Sequence, residues 1–234
     1  MFEAKLKEGG LFKKLIESIK ELVNDINLDN NSNGISLQAM DSSHVALVTL
    51  NLMAEGFDHY RCDRPMTLGI SVSNLSKIMK CGGNDDSITL KAEEEPSSLN
   101  IIFENKKQKK TSDFTLNLIT IDSEHLGIPD TSYSSIITMP SGEFTRICRE
   151  LFQLSETVVV ETNKFYVKFS VIGDVVGGSI KIDGNETSEK ENSTSINVSN
   201  NNLTIKKVEE PVNLAFALRY LNMFTKASSL SEQV

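Results

Sequence analysis

"SGEFTRICRELFQL", residues 141–154, and "GGLFKKLIESIKEL", residues 9–22, are two spellings of one short amphipathic helix. At an offset of 132, Phe12 falls on Phe144, Lys14 on Arg146, Leu15 on Ile147, Ile19 on Leu151 and Leu22 on Leu154. The match runs on without a gap into an alternating stretch, where Ile35, Leu37 and Met40 meet Val167, Phe169 and Ile172. A second match lies at an offset of 146, with "TLGISVSNLSKIMKCGG" (67–83) on "NLAFALRYLNMFTKASS" (213–229). There Leu68, Leu75 and Lys80 meet Leu214, Leu221 and Lys226. The 14 residues separating the offsets have a place in "GNETSEKENSTSINVSNNN" (184–202), a polar low-complexity stretch that reads as a surface insertion. Any two amphipathic helices share some apolar positions. Two helices in order, a gap-free strand and a placed insertion together read as an internal duplication.

Each half is therefore strand, helix, several strands, helix, more strands. In the first, Leu11, Phe12, Leu15, Ile16, Ile19, Leu22 and Val23 fall on one helical face. Runs such as "GISLQAM", "HVALVTLNL", "SLNIIFEN" and "DFTLNLI" alternate as strands do. Few strands are joined by segments long enough for parallel crossovers, so the sheets should be antiparallel and the fold class α+β in two similar domains. The domains are placed at 1–118 and 135–234, joined by an extended connector at 119–134 whose Leu126, Ile128 and Tyr133 suit a segment lying on a surface. The duplication aligns Val234 with Ile88, so the second half should stop short of counterparts to the strands near 88–117. The expectation is that the sequence as given ends before its second domain is complete.

Thirty-nine per cent hydrophobic residues in a 234-residue chain suffice for proper cores. No run approaches the roughly 18 apolar residues of a membrane helix, and "MFEAKLKEGG" lacks a signal-peptide core. Cys62, Cys81 and Cys148 are odd in number and lack CxxC spacing, which fits a reducing compartment. A formal net charge of -8 argues at first against nucleic acid. Its distribution argues the other way. Taking the repeat-related helices as 11–22, 72–80, 142–154 and 213–226, nine basic residues (Lys13, Lys14, Lys20, Lys77, Lys80, Arg146, Arg149, Arg219, Lys226) stand against four acidic ones, leaving -13 for the rest. Such a surface would make weak, sequence-independent phosphate contacts.

Catalytic signatures are missing. "DSSH" at 41–44 holds the residue types of a hydrolase triad, but a triad is assembled by the fold and no G-x-S-x-G elbow accompanies it. His44, His59 and His125 lack metal-site spacing, and "GDVVGG" (173–178) is neither a P-loop nor GxGxxG. "KKQKK" (106–110) reads as a nuclear-import patch or as a charged hairpin tip.

The stretches "MFEAKL", "LQAMDSSHVALV", "EGFDHYRCDRP", "SKIMKCGG", "HLGIP", "MPSGEFTRICREL" and "FALRYLNMFTKA" resemble the proliferating cell nuclear antigen family of eukaryotic sliding clamps, in order and along nearly the whole chain. The resemblance implies a homotrimeric ring, helices lining a central channel and sheets outside. It implies no catalytic residue, no metal and no cofactor. The nine basic residues become the DNA-facing set. Met40, His44, Val45, Leu47, Leu126, Ile128 and Tyr133 match the wall of the pocket that takes partner peptides. Cys81, Phe114 and Gly178 match the subunit contact, between strands at 111–117 and 175–182, and Lys164 the ubiquitin and SUMO attachment position. Implied partners are duplex DNA, two further copies of the chain, DNA polymerase, clamp loader, flap endonuclease, DNA ligase and other proteins carrying clamp-binding peptides, with no membrane; the implied location is the nucleus. A specialised second or checkpoint-type clamp subunit is the near alternative. A serine hydrolase using Asp41–His44 is the alternative from another class.

Overall fold

A computed structural model of the chain describes residues 1–122, 126–173, 175–184 and 203–234. The fold divides into two compact units, Met1–Gly127 and Ile128–Val234. Most of the expected insertion and His125 lie outside the described residues.

The first unit runs β1 (Phe2–Leu6), α1 (Gly10–Ile19), β2 (Asp25–Asn31), β3 (Gly34–Met40), β4 (Leu47–Met53), β5 (His59–Cys62), β6 (Met66–Ser71), α2 (Val72–Met79), β7 (Ser87–Ala92), β8 (Ser98–Asn105) and β9 (Lys110–Asn117). Its strands form two antiparallel sheets, ordered β5-β1-β7-β8-β9 and β4-β3-β2-β6. Alternation sends Ile26 and Leu28, Ile35 and Leu37, and Ile88 and Leu90 inward. Helix α1 buries Phe12, Leu15, Ile16 and Ile19 and packs on α2, which buries Val72, Leu75 and Met79. Leu11, expected on the buried face, is 56% exposed, because it stands at the start of the helix beside a stripe that Phe12 already fills. The hairpin between β2 and β3 requires glycine at Gly34: φ is +139°, and a Cβ there would lie 2.0 Å from the Leu52 carbonyl oxygen.

The second unit runs β10 (Ser135–Thr138), α3 (Ser141–Phe152), β11 (Thr157–Thr162), β12 (Tyr166–Ile172), β13 (Gly177–Asp183), β14 (Thr204–Val208), β15 (Val212–Ala217) and α4 (Leu218–Phe224). A 3-10 turn at Thr225–Ser229 follows. The sheet β13-β12-β11-β15 repeats β4-β3-β2-β6 strand for strand, and β14-β10 repeats β5-β1. Ile147, Cys148, Leu151, Val158, Val167, Phe169 and Leu218 form its core. One expected boundary is corrected: residues 213–217 are strand, and the last helix begins only at Leu218. The alternating "NLAFA" pairs along β11 from Ala217 at Thr157 to Val212 at Thr162, which decides it for strand over helix. Among the described residues no helix is long and apolar enough to cross a membrane.

Candidate nucleic-acid interface and peptide pocket

The basic residues gather on the two helix pairs, five on the first and four on the second. In the first unit Lys13, Lys14 and Lys20 ride on or cap α1, while Lys77 and Lys80 ride on or cap α2. Lys13 Nζ donates to the Gly82 carbonyl at 3.3 Å, and Lys77 Nζ reaches Asn74 Oδ1 at 3.4 Å. Lys20 is held by Glu17, whose other oxygen accepts from Ser76 Oγ at 2.6 Å. Burial pushes the Glu17 carboxyl up, but the hydrogen bonds from Lys20 and Ser76 and the charges of Lys20 and Lys80 outweigh it, so it titrates below its ordinary value.

In the second unit Arg146 and Arg149 lie on α3, Arg219 on α4 and Lys226 in the following turn. The two helices pack together, tied by Asn222 Nδ2 donating to the Cys148 carbonyl at 3.3 Å. Arg146 is gripped by Glu143 at 2.6 Å and 3.1 Å and reaches Glu150 at 3.7 Å; the hydrogen bond to Glu143 pushes the guanidinium further up. Arg219 lies over the Tyr220 ring, 4.7 Å from its centre. Lys20 and Arg146 are therefore partly neutralised by their own helices, which a count of positive charges does not reveal.

The "DSSH" segment is a braced turn. Asp41 is buried, and its carboxylate accepts from the backbone N–H of Ser43 (3.0 Å), Val45 (2.7 Å) and Ala46 (2.7 Å). With its oxygens engaged by amides, and with His44 in the left-handed region at φ 56°, the turn presents the imidazole to a surface cavity. That cavity, about 780 Å³, is lined by Met40, His44, Leu47 and Leu126 together with Gln38 and Asn27. Val45 stands beside it on the turn, 66% exposed. Ile128 and Tyr133 belong to the other unit, where they are 61% and 63% exposed.

Three residues that the sequence reading passed over fasten the connector to the first unit. Gly69 accepts from Ile119 N–H at 3.0 Å, and a Cβ there would lie 1.9 Å from the Ile119 oxygen. Asn27 Nδ2 donates to the Ile121 carbonyl at 3.0 Å. Gln38 makes a two-way pair with Leu126, Nε2 to the carbonyl at 2.9 Å and N–H to Oε1 at 2.6 Å. A polar residue facing outward in "GISLQAM" was the available signal for Gln38.

Among the described residues strands β9 and β13 each end a sheet and carry an unpaired edge. Phe114 on β9 is half-buried, edge-on to Phe103 at 5.9 Å; Cys81 is exposed just past α2. At Gly178 a Cβ would meet only a Leu154 methyl at 3.9 Å, so the chain's own packing does not require glycine there. Lys164 is exposed in the β11–β12 turn, which Asn163 Oδ1 closes by accepting from Phe165 and Tyr166 N–H. Among the described residues no group of three or more His, Cys, Asp or Glu side chains is placed to hold a metal.

The family model described as proliferating cell nuclear antigen, N-terminal domain, matches residues 1–125, and that described as proliferating cell nuclear antigen, C-terminal domain, matches residues 127–234. Their junction falls within a few residues of the division of the fold at Gly127 and Ile128. Twin domains of antiparallel sheets with paired helices, matched in order along nearly the whole chain, make this protein a member of the proliferating cell nuclear antigen family of non-catalytic sliding-clamp scaffolds.

Proposed function

We propose that the chain is a DNA sliding clamp that forms a homotrimeric ring around duplex DNA and tethers replication and repair enzymes in the nucleus. The observation that carries this reading is the repeated basic helix pair. Each unit builds two packed helices with cations on their exposed sides, while the chain as a whole is acidic. Three copies of a duplicated unit would give a near-sixfold lining that offers similar charge to the phosphates at each step around the duplex. Contacts weakened by Glu17 and Glu143 suit a lining that must not stop the ring from moving. Retention would come from encirclement.

The unpaired edges of β9 and β13 are the proposed subunit contact, each strand extending the neighbouring subunit's sheet, with Gly178 letting the backbones approach and Phe114 and Cys81 beside them. Lys164, exposed on its turn, is the proposed attachment point for ubiquitin or SUMO. The cavity at Met40, His44, Leu47 and Leu126 of the first unit is the proposed seat of a hydrophobic and aromatic anchor from polymerase, flap endonuclease or ligase, with Val45 adding exposed apolar surface beside it. Closing a ring on circular DNA also calls for an ATP-driven loader.

Reversing Lys20, Lys77, Lys80 and Arg149 to glutamate tests the lining. The expected result is loss of DNA-dependent polymerase stimulation with the trimer mass unchanged in native mass spectrometry; full stimulation by the variant would contradict it. A pull-down with a polymerase-tether peptide separates this reading from a checkpoint-type subunit, which should fail to bind.

A further inference from the structure

The "KKQKK" stretch is the strongest concentration of charge that the clamp reading leaves unused. It forms the tip of the β8–β9 hairpin, with Lys106–Lys109 in the turn and Lys110 opening β9 opposite Asn105. All four lysines are exposed. The tip is held in one shape: Asn105 Oδ1 accepts from Gln108 N–H at 2.9 Å, and Lys109 sits in the left-handed region at φ 51°. Its basic neighbours are already paired, Lys5 with Glu104 at 2.6 Å and Lys7 with Asp58 at 2.7 Å. The tip lysines form no ion pair among the described residues.

Their position matters as much as their charge. One loop, residues 82–86, joins the tip to the basic ends of both helices. Asp86 accepts from Asn105 Nδ2 at 2.6 Å through its side chain and from Gly9 N–H at 2.8 Å through its carbonyl, and Lys13 Nζ reaches Gly82 at 3.3 Å. Lys80, the C-cap of α2, stands two residues before Gly82. Lys80, Lys13 and the tip thus lie at one end of the first unit.

We propose that this tip is a second phosphate-contacting site of the clamp, touching duplex DNA where it leaves the helix pair at that end. The proposal rests on the DNA-encircling reading. The four lysines face solvent on a turn braced by Asn105 and Asp86 and make no ion pair among the described residues, so contact with phosphates breaks no salt bridge. A receptor that reads basic signals as extended peptides is a poorer fit, since seating the segment would require opening the β8–β9 ladder.

The test is fluorescence anisotropy of the full chain on a short labelled duplex between about 50 and 200 mM salt, where each lost phosphate contact flattens the log–log salt slope by about 0.9. The chain with Lys106, Lys107, Lys109 and Lys110 changed to glutamine should show a slope shallower by about 2 to 3, and the four-arginine version should restore it. A triple variant that keeps Lys109 guards against a disturbed turn and should lose most of the same slope. Unchanged slope and affinity in the glutamine variant, with binding still abolished by reversal of Lys20, Lys77 and Lys80, would overturn the tip alone. No salt-dependent binding by the unaltered chain would overturn the DNA reading with it. Loss of binding to a nuclear-import adaptor with the DNA slope intact would assign the tip to import and also overturn the proposal.

Discussion

The two units share one sheet, one helix pair and one connectivity, yet they bury the repeated positions differently. Phe12 in the first is 3% exposed, whereas its counterpart Phe144 is only half-buried. Leu75 is 0% exposed, whereas its counterpart Leu221 is partly open. The cause is the second sheet. In the first unit β1 is flanked by β5 and β7, and β7–β8 supply buried Ile88, Leu90, Leu99 and Ile101. In the second unit β10 pairs with β14, and the residues that follow it bond to the segment 231–234, Met139 with Val234 at 2.8 and 2.9 Å and Ser141 N–H to the Glu232 carbonyl at 2.9 Å. An apolar cavity of about 250 Å³ opens there, lined by Ile137, Met139, Phe144, Val160, Phe169, Phe216, Leu221 and Val234. The local pattern of the sequence makes the helices; the strands behind them decide how deeply they are buried.

The largest effect that could break this comparison is in the cores. Leu75→Ala should destabilise the first unit by about 2–5 kcal/mol, while Leu221→Ala should cost the second roughly 1–2 kcal/mol, because truncating an open site leaves less cavity. Denaturant melts following each unit separately check it, and equal losses would show that the cavity does not loosen the second core. Next comes Gly69 against its repeat partner Ala215. Gly69→Ala drives a methyl into the Ile119 carbonyl and should lift the connector, destabilising by about 1–3 kcal/mol. Ala215, exposed on β15, should tolerate glycine at about 0.5–1 kcal/mol. Protection of the Ile119 amide in hydrogen exchange reads the first change directly.

Smaller effects concern the self-paired cations. Glu17→Gln frees Lys20, and Glu143→Gln with Glu150→Gln frees Arg146; each should tighten duplex binding by about 0.3–1 kcal/mol, measured by anisotropy. Glu17 also sets a pH dependence. Because its folded value lies below the ordinary 4.5, its contribution to stability is present above that value and is lost as pH falls through the lowered one. Melting curves from neutral pH down to about pH 3 should show a smaller acid loss in the Glu17→Gln variant than in the parent; parallel curves would remove Glu17 from the account.

Much of this was legible because the chain states its pattern twice. Period and repeat located α1 and α3 to within a few residues, and the antiparallel class followed from the short connections. The error at 213–217 came from drawing one helix through an alternating run, although its repeat partner "TLGIS" is the strand β6. Asp41, Asn27 and Gln38 could not be read in the same way. For Asn27 and Gln38 the partners are backbone groups brought near by the fold from about ninety residues away, which no local period encodes, while Asp41 binds amides two to five residues on, in a turn rather than in a periodic element. The pairing of Arg146 with Glu143 was different, since i,i+3 spacing is written in the sequence and only its discount on the free charge was missed.

Encirclement is the claim on which the proposed function turns, and topology tests it most directly. The chain, loaded onto nicked circular duplex by a clamp loader and washed at high salt, should stay bound and should run off when the circle is cut once. Release from the intact circle at the same rate as from the cut one would contradict a ring held by its closure.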